Sequence, residues 1–498
     1  MVAPQLPDGL VAVVKRECAT CMLVVPVLGE IAARGRPLTV YTQDDPDFPE
    51  TPAPIDDREL EVSWHHRIET VPTLLRIGNG VEVARTEGWS RHDWETLAGV
   101  SPLGAALPAH RPGCGSLSVD PSHSDELRVR FEGGRLKARR IELGDIEDDI
   151  ETAFARGWTD GLPVVPPTPA RVLNMLDGTR RAPDEVVAVV PPDLVPVTVE
   201  KVAINAVMAG CLPEYLPVVL AAVKAACTDA FNMHGLLCTT WFSGPIVIVN
   251  GPITTGIGMN SGVNALGQGN RANATIGRAL QLIVRNVGGG RPGEIDRATL
   301  GGPGKYTFCF AEDEAGSPWE PLSVERGFPE GTSTVTLFAG EGPNGMCDQK
   351  SRDPESLSRS MAWALDSVWH PKLAMLTDAV LVVSPEHGRV FREAGWSKAR
   401  LRERLLELTT KPLSEISAGA QGCAEGMTIQ AGGVRGAFGS AVGGGEETGT
   451  ADVLIPKFFP DGLLIVHAGG KAGLFSAVLG GWARGAIGSS PVTREVKQ

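Results

Sequence analysis

The fold of the first part of the chain is decided by residues 9–26, Gly9-Leu-Val-Ala-Val-Val-Lys-Arg-Glu-Cys-Ala-Thr-Cys-Met-Leu-Val-Val-Pro26. The apolar run at residues 10–14 predicts a buried strand, and a helical pattern follows through Ile31. Cys18-Ala-Thr-Cys21 is therefore a C-x-x-C motif between a strand and a helix. This order is typical of a dithiol that exchanges with disulfides.

The start of a helix is a favourable place for a thiolate. Backbone N–H groups without partners and the positive end of the helix dipole both stabilise a negative sulfur there. Lys15 and Arg16 precede the motif and add positive charge. We therefore expect Cys18 to be the exposed, attacking sulfur and Cys21, one helical turn further on, to be the resolving one.

A second group of elements is predicted further along the chain. Residues 69–77 contain Val-Pro72-Thr followed by an apolar strand. Gly78-Asn-Gly80 predicts a hairpin turn, residues 81–85 a second strand and residues 91–100 a closing helix. The predicted order is strand, helix, strand, helix, proline, strand, strand, helix.

With these elements in place, residues 1–102 resemble the thioredoxin-like family. The resemblance rests on Cys18, Cys21 and Pro72. It implies that Pro72 is a cis-proline facing the dithiol and that the domain carries a redox-active disulfide. Glu17 stands directly before the first cysteine, where thioredoxin itself has an aromatic residue, so the usual partner surface is not implied.

A C-x-x-C motif also has two other interpretations. In a reducing compartment it can be half of a zinc site or a clip for a soft metal, and it can also be an inert structural pair. No second C-x-x-C and no H-E-x-x-H motif is present in the sequence to complete a metal site. The redox interpretation is the first hypothesis, and no metal or further cofactor is assigned.

Composition limits the class of protein. The 498 residues are enough for two or three domains, and 42% hydrophobic content is ordinary for a globular chain. The net charge of −13 argues against nucleic-acid and anionic-membrane partners. No signal peptide or membrane-spanning run is seen, and nine cysteines do not form a disulfide scaffold, so the cytoplasm is the expected location.

The rest of the chain is predicted to be a Pro/Gly-rich linker and one large domain. Residues 103–125 are the linker, and Cys114 within it is either a free surface thiol or a relay thiol between domains. Residues 126–498 are predicted to form a large, glycine-rich α/β domain with a mixed or mostly parallel sheet, and a division into two subdomains stays open. Residues 126–142, which alternate around two glycines, predict a β-hairpin at its start. This part resembles no characterised family.

The large domain carries three candidate active thiols. Cys211 precedes Pro213-Glu214, which predicts the start of a helix, so a thiolate is expected at Cys211. Cys238 and Cys423 are weaker candidates.

Two glycine-rich loops predict a substrate site. Residues 254–270 lead into a helix that begins near Arg271 and Asn273, and an anion is favoured at such a helix start. Residues 461–476 predict a strand, a glycine turn and a helix, with Lys471 supplying charge in the turn. Arg271, Asn273 and Lys471 are therefore candidate ligands for a small molecule with an anionic group.

The first functional hypothesis is an oxidoreductase in which the Cys18/Cys21 dithiol supplies electrons to the large domain by disulfide exchange, with Cys211 as the receiving thiol. An external thiol or a thioredoxin-reductase-type donor would reduce the dithiol again, and a homo-oligomer is possible. Two alternatives stay open. One is a redox-regulated or soft-metal-handling binding protein. The other is a non-redox lyase or hydrolase with a thioredoxin-like docking domain.

Overall fold

The valine run before the C-x-x-C motif forms the central strand of a five-stranded sheet in a computed structural model of the protein. The structure describes residues 3–144, 147–417, 419–423, 453–485 and 488–497, and the backbone of residues 434–435 and 441–442. Most of the predicted glycine-rich stretch at 419–449 lies outside these residues. The chain divides into two units, Met1–Arg135 and Leu136–Gln498.

The first unit has nine strands and four helices among the described residues. The strands are β1 (Gly9–Val14), β2 (Leu38–Thr42), β3 (Ile55–Asp56), β4 (Thr70–Val71), β5 (Thr73–Gly78), β6 (Val81–Glu87), β7 (Trp89–Ser90), β8 (His110–Arg111) and β9 (Cys114–Gly115). The helices are α1 (Ala19–Ala33), α2 (Glu61–His65), α3 (Arg91–Ala98) and α4 (Pro121–Glu132).

The main sheet of the first unit has the order β3-β2-β1-β5-β6. β1 is parallel to β2, which follows it through α1, and antiparallel to β5. β5 and β6 form an antiparallel hairpin around Asn79-Gly80, both of which have positive φ. The apolar core of the unit includes both motif cysteines and two buried tryptophans, Trp89 and Trp94.

The segment expected to be a linker belongs to the first unit. β8 pairs with β7, β9 pairs with β4, and Leu103 is fully buried. The predicted boundaries at 102 and 125 are therefore wrong, because this segment packs on the unit through its backbone. A strand of two residues is too short to leave a periodic pattern in the sequence. Glycine and proline are also typical of linkers, so the composition of this segment does not distinguish it from one.

The β-hairpin predicted at residues 126–142 is replaced by α4 and a following turn. Asp120 caps the helix by accepting a hydrogen bond from the Ser122 N–H (2.9 Å), and Pro121 occupies its first position. Glu126 and Arg130, four residues apart, form an ion pair of 2.8 Å on its surface. The helix signals therefore dominate over the alternation that suggested a strand.

The larger unit is an α/β unit with mixed sheets. Its strands are β10 (Val186–Val190), β11 (Val195–Thr198), β12 (Gly244–Asn250), β13 (Cys309–Ala311), β14 (Thr334–Cys347), β15 (Thr377–Val383), β16 (Lys411–Pro412), β17 (Val434–Arg435), β18 (Ala441–Val442), β19 (Leu454–Ile455), β20 (Leu463–His467), β21 (Phe475–Ala483) and β22 (Val492–Glu495). Its helices are α5 (Asp149–Ala155), α6 (Pro169–Leu176), α7 (Val199–Ala209), α8 (Leu216–Ala226), α9 (Met233–Cys238), α10 (Ile253–Gly256), α11 (Arg271–Asn286), α12 (Leu322–Glu325), α13 (Pro354–Asp366), α14 (Pro385–Glu393), α15 (Lys398–Leu408) and α16 (Leu413–Ile416).

The main sheet of the larger unit has the order β13-β12-β14-β21-β15-β20, with β22 also on β14. Only the β12–β13 and β15–β20 pairs in it are parallel, so the sheet is mixed rather than mostly parallel. Successive residues of its strands face opposite sides of the sheet and pack in different cores. Ile246 and Val380 contribute to an inner core shared by both halves of the sheet. Val247 and Leu381 pack outward beneath helices.

The helix expected after the Lys471 turn is strand β21. This strand lies in the sheet between β14 and β15 and is antiparallel to both. A Cβ on Gly481 would lie 2.4 Å from the Asp378 carbonyl oxygen, so a glycine is needed where the backbones approach closely. No helix found in the described ranges is both long and apolar enough to cross a membrane.

Candidate functional site

Cys18 caps helix α1. Its backbone is extended (φ −121°, ψ 116°), and its sulfur accepts a hydrogen bond from the Cys21 N–H at 3.3 Å. The same sulfur lies 3.4 Å from the Val71 carbonyl oxygen, to which the protonated thiol donates. The strand β1 and the helix α1 thus hold the thiol at the point where unpaired N–H groups stabilise an anion.

The neighbouring groups make Cys18 acidic. Hydrogen bonding from the Cys21 thiol is the main cause that lowers the pKa of Cys18 from 9.0 to about 5. The Cys114 thiol and the backbone N–H groups of Cys21 and Thr20 act in the same direction, whereas burial opposes them. Burial and the neighbouring Cys18 raise the pKa of Cys21 far above its ordinary value. Cys18 is therefore the thiolate at neutral pH and Cys21 the proton donor.

Two expectations about this site are wrong. Cys18 is not exposed, since both motif cysteines have 0% exposed surface. Lys15 and Arg16 do not face the sulfur either. The Lys15 ammonium donates to the Gly115 carbonyl oxygen (2.7 Å), and Arg16 pairs with Asp45 (2.9 Å). The thiolate is stabilised by thiols and backbone N–H groups instead.

Pro72 lies between β4 and β5, and the peptide bond that joins it to Val71 is cis. The Val71 carbonyl oxygen is the one that faces Cys18. The structure thus brings together Cys18, Cys21 and the Pro72 segment, which the sequence placed in one site.

Cys114 is the member of this site that sequence reasoning did not assign. It lies opposite Val71 in the β4–β9 pair, and the Val71 carbonyl oxygen lies 3.4 Å from the Cys18 sulfur, so the two thiols are neighbours and each shifts the pKa of the other. That contact, together with burial, raises the pKa of Cys114. A cysteine in a Pro/Gly-rich segment carried no signal in the sequence, because the contact depends on a pairing of residues more than forty positions apart.

We expect Cys21→Ala to raise the pKa of Cys18, because the substitution removes the strongest hydrogen bond to its thiolate. Thiolate absorbance in the ultraviolet, followed against pH, measures this. The wild type should gain one thiolate near pH 5, and the variant should gain it at higher pH. Cys21→Ser, which keeps a donor, should lie between them. An unchanged midpoint in Cys21→Ala would contradict this account.

Cys211 does not have the properties expected of a receiving thiol. It is buried after α7 and donates to the Thr275 carbonyl oxygen at 3.4 Å. Burial raises its pKa to about 12, so it is a thiol and not a thiolate at neutral pH. Cys238 and Cys423 are exposed.

Arg271 and Asn273 stand at the start of α11, as predicted, but their side chains are used within the protein. Arg271 Nε donates to the Gly210 carbonyl oxygen at 2.9 Å. Asn273 is buried, and its amide bonds the backbone N–H and carbonyl of Asn260 (3.0 and 2.8 Å). The loop before α11 is therefore organised by its own amides.

Lys471 is exposed in the turn between β20 and β21. The Gly469 N–H of this turn bonds the Ser261 carbonyl oxygen at 2.9 Å, which places the two predicted loops side by side. Lys471 has no helix start next to it, because β21 follows. No contact between Lys471 and Arg271 or Asn273 is found among the described residues.

A cavity of about 520 Å³ in the larger unit is lined by polar groups. Three of them, Ser243 Oγ, Gln281 Nε2 and Arg285 Nε, are buried atoms with no hydrogen-bond partner in the described part of the chain. An ion pair of 2.8 Å between Lys305 and Asp296 also lines the cavity. Gln281 and Arg285 are four residues apart on α11, which is the only signal the sequence held for them.

A larger cavity of about 890 Å³ lies between the segment after residue 136 and α7. Glu200, at its edge, accepts from the backbone N–H groups of Lys137 (2.9 Å) and Ala138 (2.9 Å). This carboxylate is occupied in fixing the segment to the unit. As for metals, no three His, Cys, Asp or Glu side chains within the described ranges are placed to hold an ion.

Comparison with known proteins adds no relative. No family model matches the chain, and neither the curated proteins nor the solved structures include a match.

Proposed function

We propose that the first unit is a thiol–disulfide oxidoreductase module in which Cys18 is the nucleophile and Cys21 the resolving thiol. The observation that carries the proposal is the Cys18 thiol at the start of α1, with a pKa of about 5 and the second thiol hydrogen-bonded to it. The proposal is also supported by the succession β1, α1, β2, α2, cis-Pro72, β5, β6 and α3 around the two thiols.

The test uses the reduced, full-length protein freed of reductant and mixed with oxidised glutathione. We expect one Cys18–Cys21 disulfide per chain and release of reduced glutathione, with the disulfide located by mass spectrometry of a non-reducing digest. Cys347→Ser, which removes an exposed thiol of the larger unit, should behave like the wild type. Absence of released glutathione, or tight binding of a soft metal without exchange, would refute the proposal.

For the larger unit we propose binding of a small molecule with an anionic group in the 520 Å³ cavity. The cavity offers three buried polar atoms that have no partner in the described residues, a charged donor at Arg285 Nε, an amide donor at Gln281 Nε2 and the hydroxyl of Ser243. The oxidoreductase hypothesis assigns this molecule as the acceptor of the electrons that the dithiol supplies.

The cavity proposal predicts that ligand binding depends on Arg285 and not on Arg271. A set of small carboxylates (acetate, succinate and citrate) should include one that raises the melting temperature of the wild type. Arg285→Ala should lose that stabilisation because its guanidinium lines the cavity. Arg271→Ala, at the site favoured by the sequence, should keep it. If Arg271→Ala lost the stabilisation and Arg285→Ala kept it, the carboxylate would bind at the loop before α11 instead of in the cavity.

A further inference from the structure

The thiol of Cys114 shares the helix start with Cys18. Cys114 lies opposite Val71 in the β4–β9 pair, and the Val71 carbonyl oxygen lies 3.4 Å from the Cys18 sulfur. Cys18 raises the pKa of Cys114, and the backbone N–H groups of Thr20 and Ala19 lower it, so the thiol is a close neighbour of both. Cys21 approaches Cys18 as well, through the Cys21 N–H at 3.3 Å and through its thiol. Cys18 thus has two cysteine neighbours, one in its own helix and one in β9.

The segment that carries Cys114, residues 112–116, is fixed across the site, and we name it the strap. Thr20 Oγ1 donates to the Pro112 carbonyl oxygen and Lys15 Nζ to the Gly115 carbonyl oxygen, each at 2.7 Å. The Ser116 N–H bonds the Glu69 carbonyl oxygen at 2.9 Å. These contacts surround Cys114 on both sides and set its position relative to α1.

A glycine in the strap makes the close approach possible. A Cβ on Gly113 would lie 2.3 Å from Thr70 Cγ2 and 2.8 Å from the Val71 carbonyl oxygen. A Cβ on Gly115 would meet nothing within 4 Å. The two glycines therefore differ sharply in what a methyl group would do to the strap.

The three cysteines of this site differ in how much of their surface is exposed. Of the cysteines among the described residues of the first unit, Cys18 and Cys21 have 0% exposed surface and Cys114 alone keeps some. Cys114 is therefore the cysteine of the three that lies partly at the surface.

We propose that Cys114 is a third member of the exchange site, which forms a Cys18–Cys114 disulfide in place of Cys18–Cys21 and presents its sulfur to an external thiol. The inference rests on the proposed function and adds the route by which the dithiol is reduced again. The external partner is a low-molecular-weight or protein thiol, recognised by its thiolate.

The exchange needs no reagent besides the external thiol, which supplies both electrons. The Cys114 thiolate attacks the Cys18 sulfur of the Cys18–Cys21 disulfide, the Cys18–Cys114 bond forms, and Cys21 leaves and takes up the proton that Cys114 lost. An external thiolate then attacks Cys114, and Cys18 leaves as a thiolate. A second external thiol releases Cys114, so that the two external thiols leave as one disulfide and have supplied two electrons.

The acidities favour this route. In a Cys18–Cys114 disulfide, attack on the Cys114 sulfur expels Cys18, whose pKa of about 5 makes it a good leaving group. Both this route and direct attack of an external thiol on Cys18 expel Cys21 once, and burial raises the pKa of Cys21. In the route through Cys114 that difficult step is intramolecular, and the external thiol attacks only the partly exposed Cys114, with Cys18 as the leaving group.

The experiment begins with full-length Cys21→Ser oxidised by glutathione disulfide. We expect an intact mass lower by two hydrogen atoms and a Cys18–Cys114 cross-linked peptide in a non-reducing digest. Cys21→Ser with Gly113→Ala should lose most of the cross-link, whereas Cys21→Ser with Gly115→Ala should keep it. Glutathione attached to Cys18, with no cross-link, would overturn the inference.

A rate measurement completes the test. Reduction of the oxidised wild type by glutathione should be about tenfold or more faster than that of Cys114→Ser. Equal rates, with both circular dichroism spectra native, would overturn the role of Cys114. If the wild type still forms Cys18–Cys21 with oxidised glutathione in that case, the proposed function stands without the inference. If it does not, the proposed function itself fails.

Discussion

Cys18→Ser is expected to remove disulfide exchange from the protein, with a loss of about three orders of magnitude or more in the rate of glutathione release. The serine hydroxyl does not ionise at neutral pH, whereas the Cys18 thiol, with a pKa of about 5, is almost fully ionised there. Cys21 cannot replace it, because burial raises its pKa and leaves it protonated. Release of reduced glutathione from oxidised glutathione measures the rate.

The pH profile of the same reaction identifies the thiolate. A thiol with a lowered pKa is active above that pKa, so the wild-type rate should rise through about pH 5 and then level off toward neutral pH. The residual rate of Cys18→Ser should instead keep rising toward alkaline pH, because burial still raises the pKa of the Cys114 thiol after Cys18 is removed. Cys347→Ser is the control, and its profile should match the wild type. A Cys18→Ser rate near the wild-type rate would refute the assignment.

The order of elements around Cys18 was predictable because its signals are local. A valine run, a short charged turn and a helical pattern each lie within a few residues of the motif, and the sequence shows them directly. The position of Pro72 followed from its local context in the same way. Local patterns did not indicate whether Cys18 is exposed or buried. Cys18 has no exposed surface, and the strap beside it is held by Thr20 and Lys15, which lie 92 and 100 positions from their strap partners.

The errors share one physical cause, which is pairing between distant segments. β9 has two residues and gains its place from Val71, so no pattern within residues 103–125 indicates it. β21 was interpreted as a helix after a glycine turn, yet it is held by β14 and β15 on either side. Ser243 and Arg285 line the same cavity because α11 lies near the start of β12, where a Cβ on Gly244 would be 3.6 Å from Gln281 Nε2. Propensity and spacing specify such neighbours only weakly.

The site residues proposed for the large domain show the same limit. Arg271 was correctly placed at a helix start, but the helix start alone did not reveal that its guanidinium bonds the Gly210 carbonyl. Cys211 was assigned from the signal of Pro213, and the prediction of a thiolate failed because the residue is buried. Burial, which sets the protonation of a thiol, is a property of the packed unit and not of the motif.

Glu312→Ala is expected to destabilise the larger unit by about 3–5 kcal/mol. The Glu312 carboxylate is buried and accepts hydrogen bonds from Asn250 Nδ2 (2.7 Å), the Leu322 N–H (2.8 Å) and the His467 N–H (3.4 Å). The Lys398 ammonium lies 4.0 Å away with only 3% of its side chain exposed. Removing the carboxylate leaves the buried Leu322 and His467 N–H groups without this acceptor and takes from Lys398 one of its two carboxylate neighbours, the other being Glu325.

Urea unfolding of the larger unit, followed by tryptophan fluorescence, measures the loss. Glu312→Gln keeps an acceptor of the same shape, and Lys398 retains Glu325 at 3.2 Å, so this variant should lose less than Glu312→Ala. The exposed Glu320 offers a matched control, and Glu320→Ala should change the free energy of unfolding by less than about 0.5 kcal/mol. If Glu312→Ala were as stable as Glu320→Ala, the carboxylate would not connect β12, β13 and β20. The inner core alone would then hold the two halves of the sheet together.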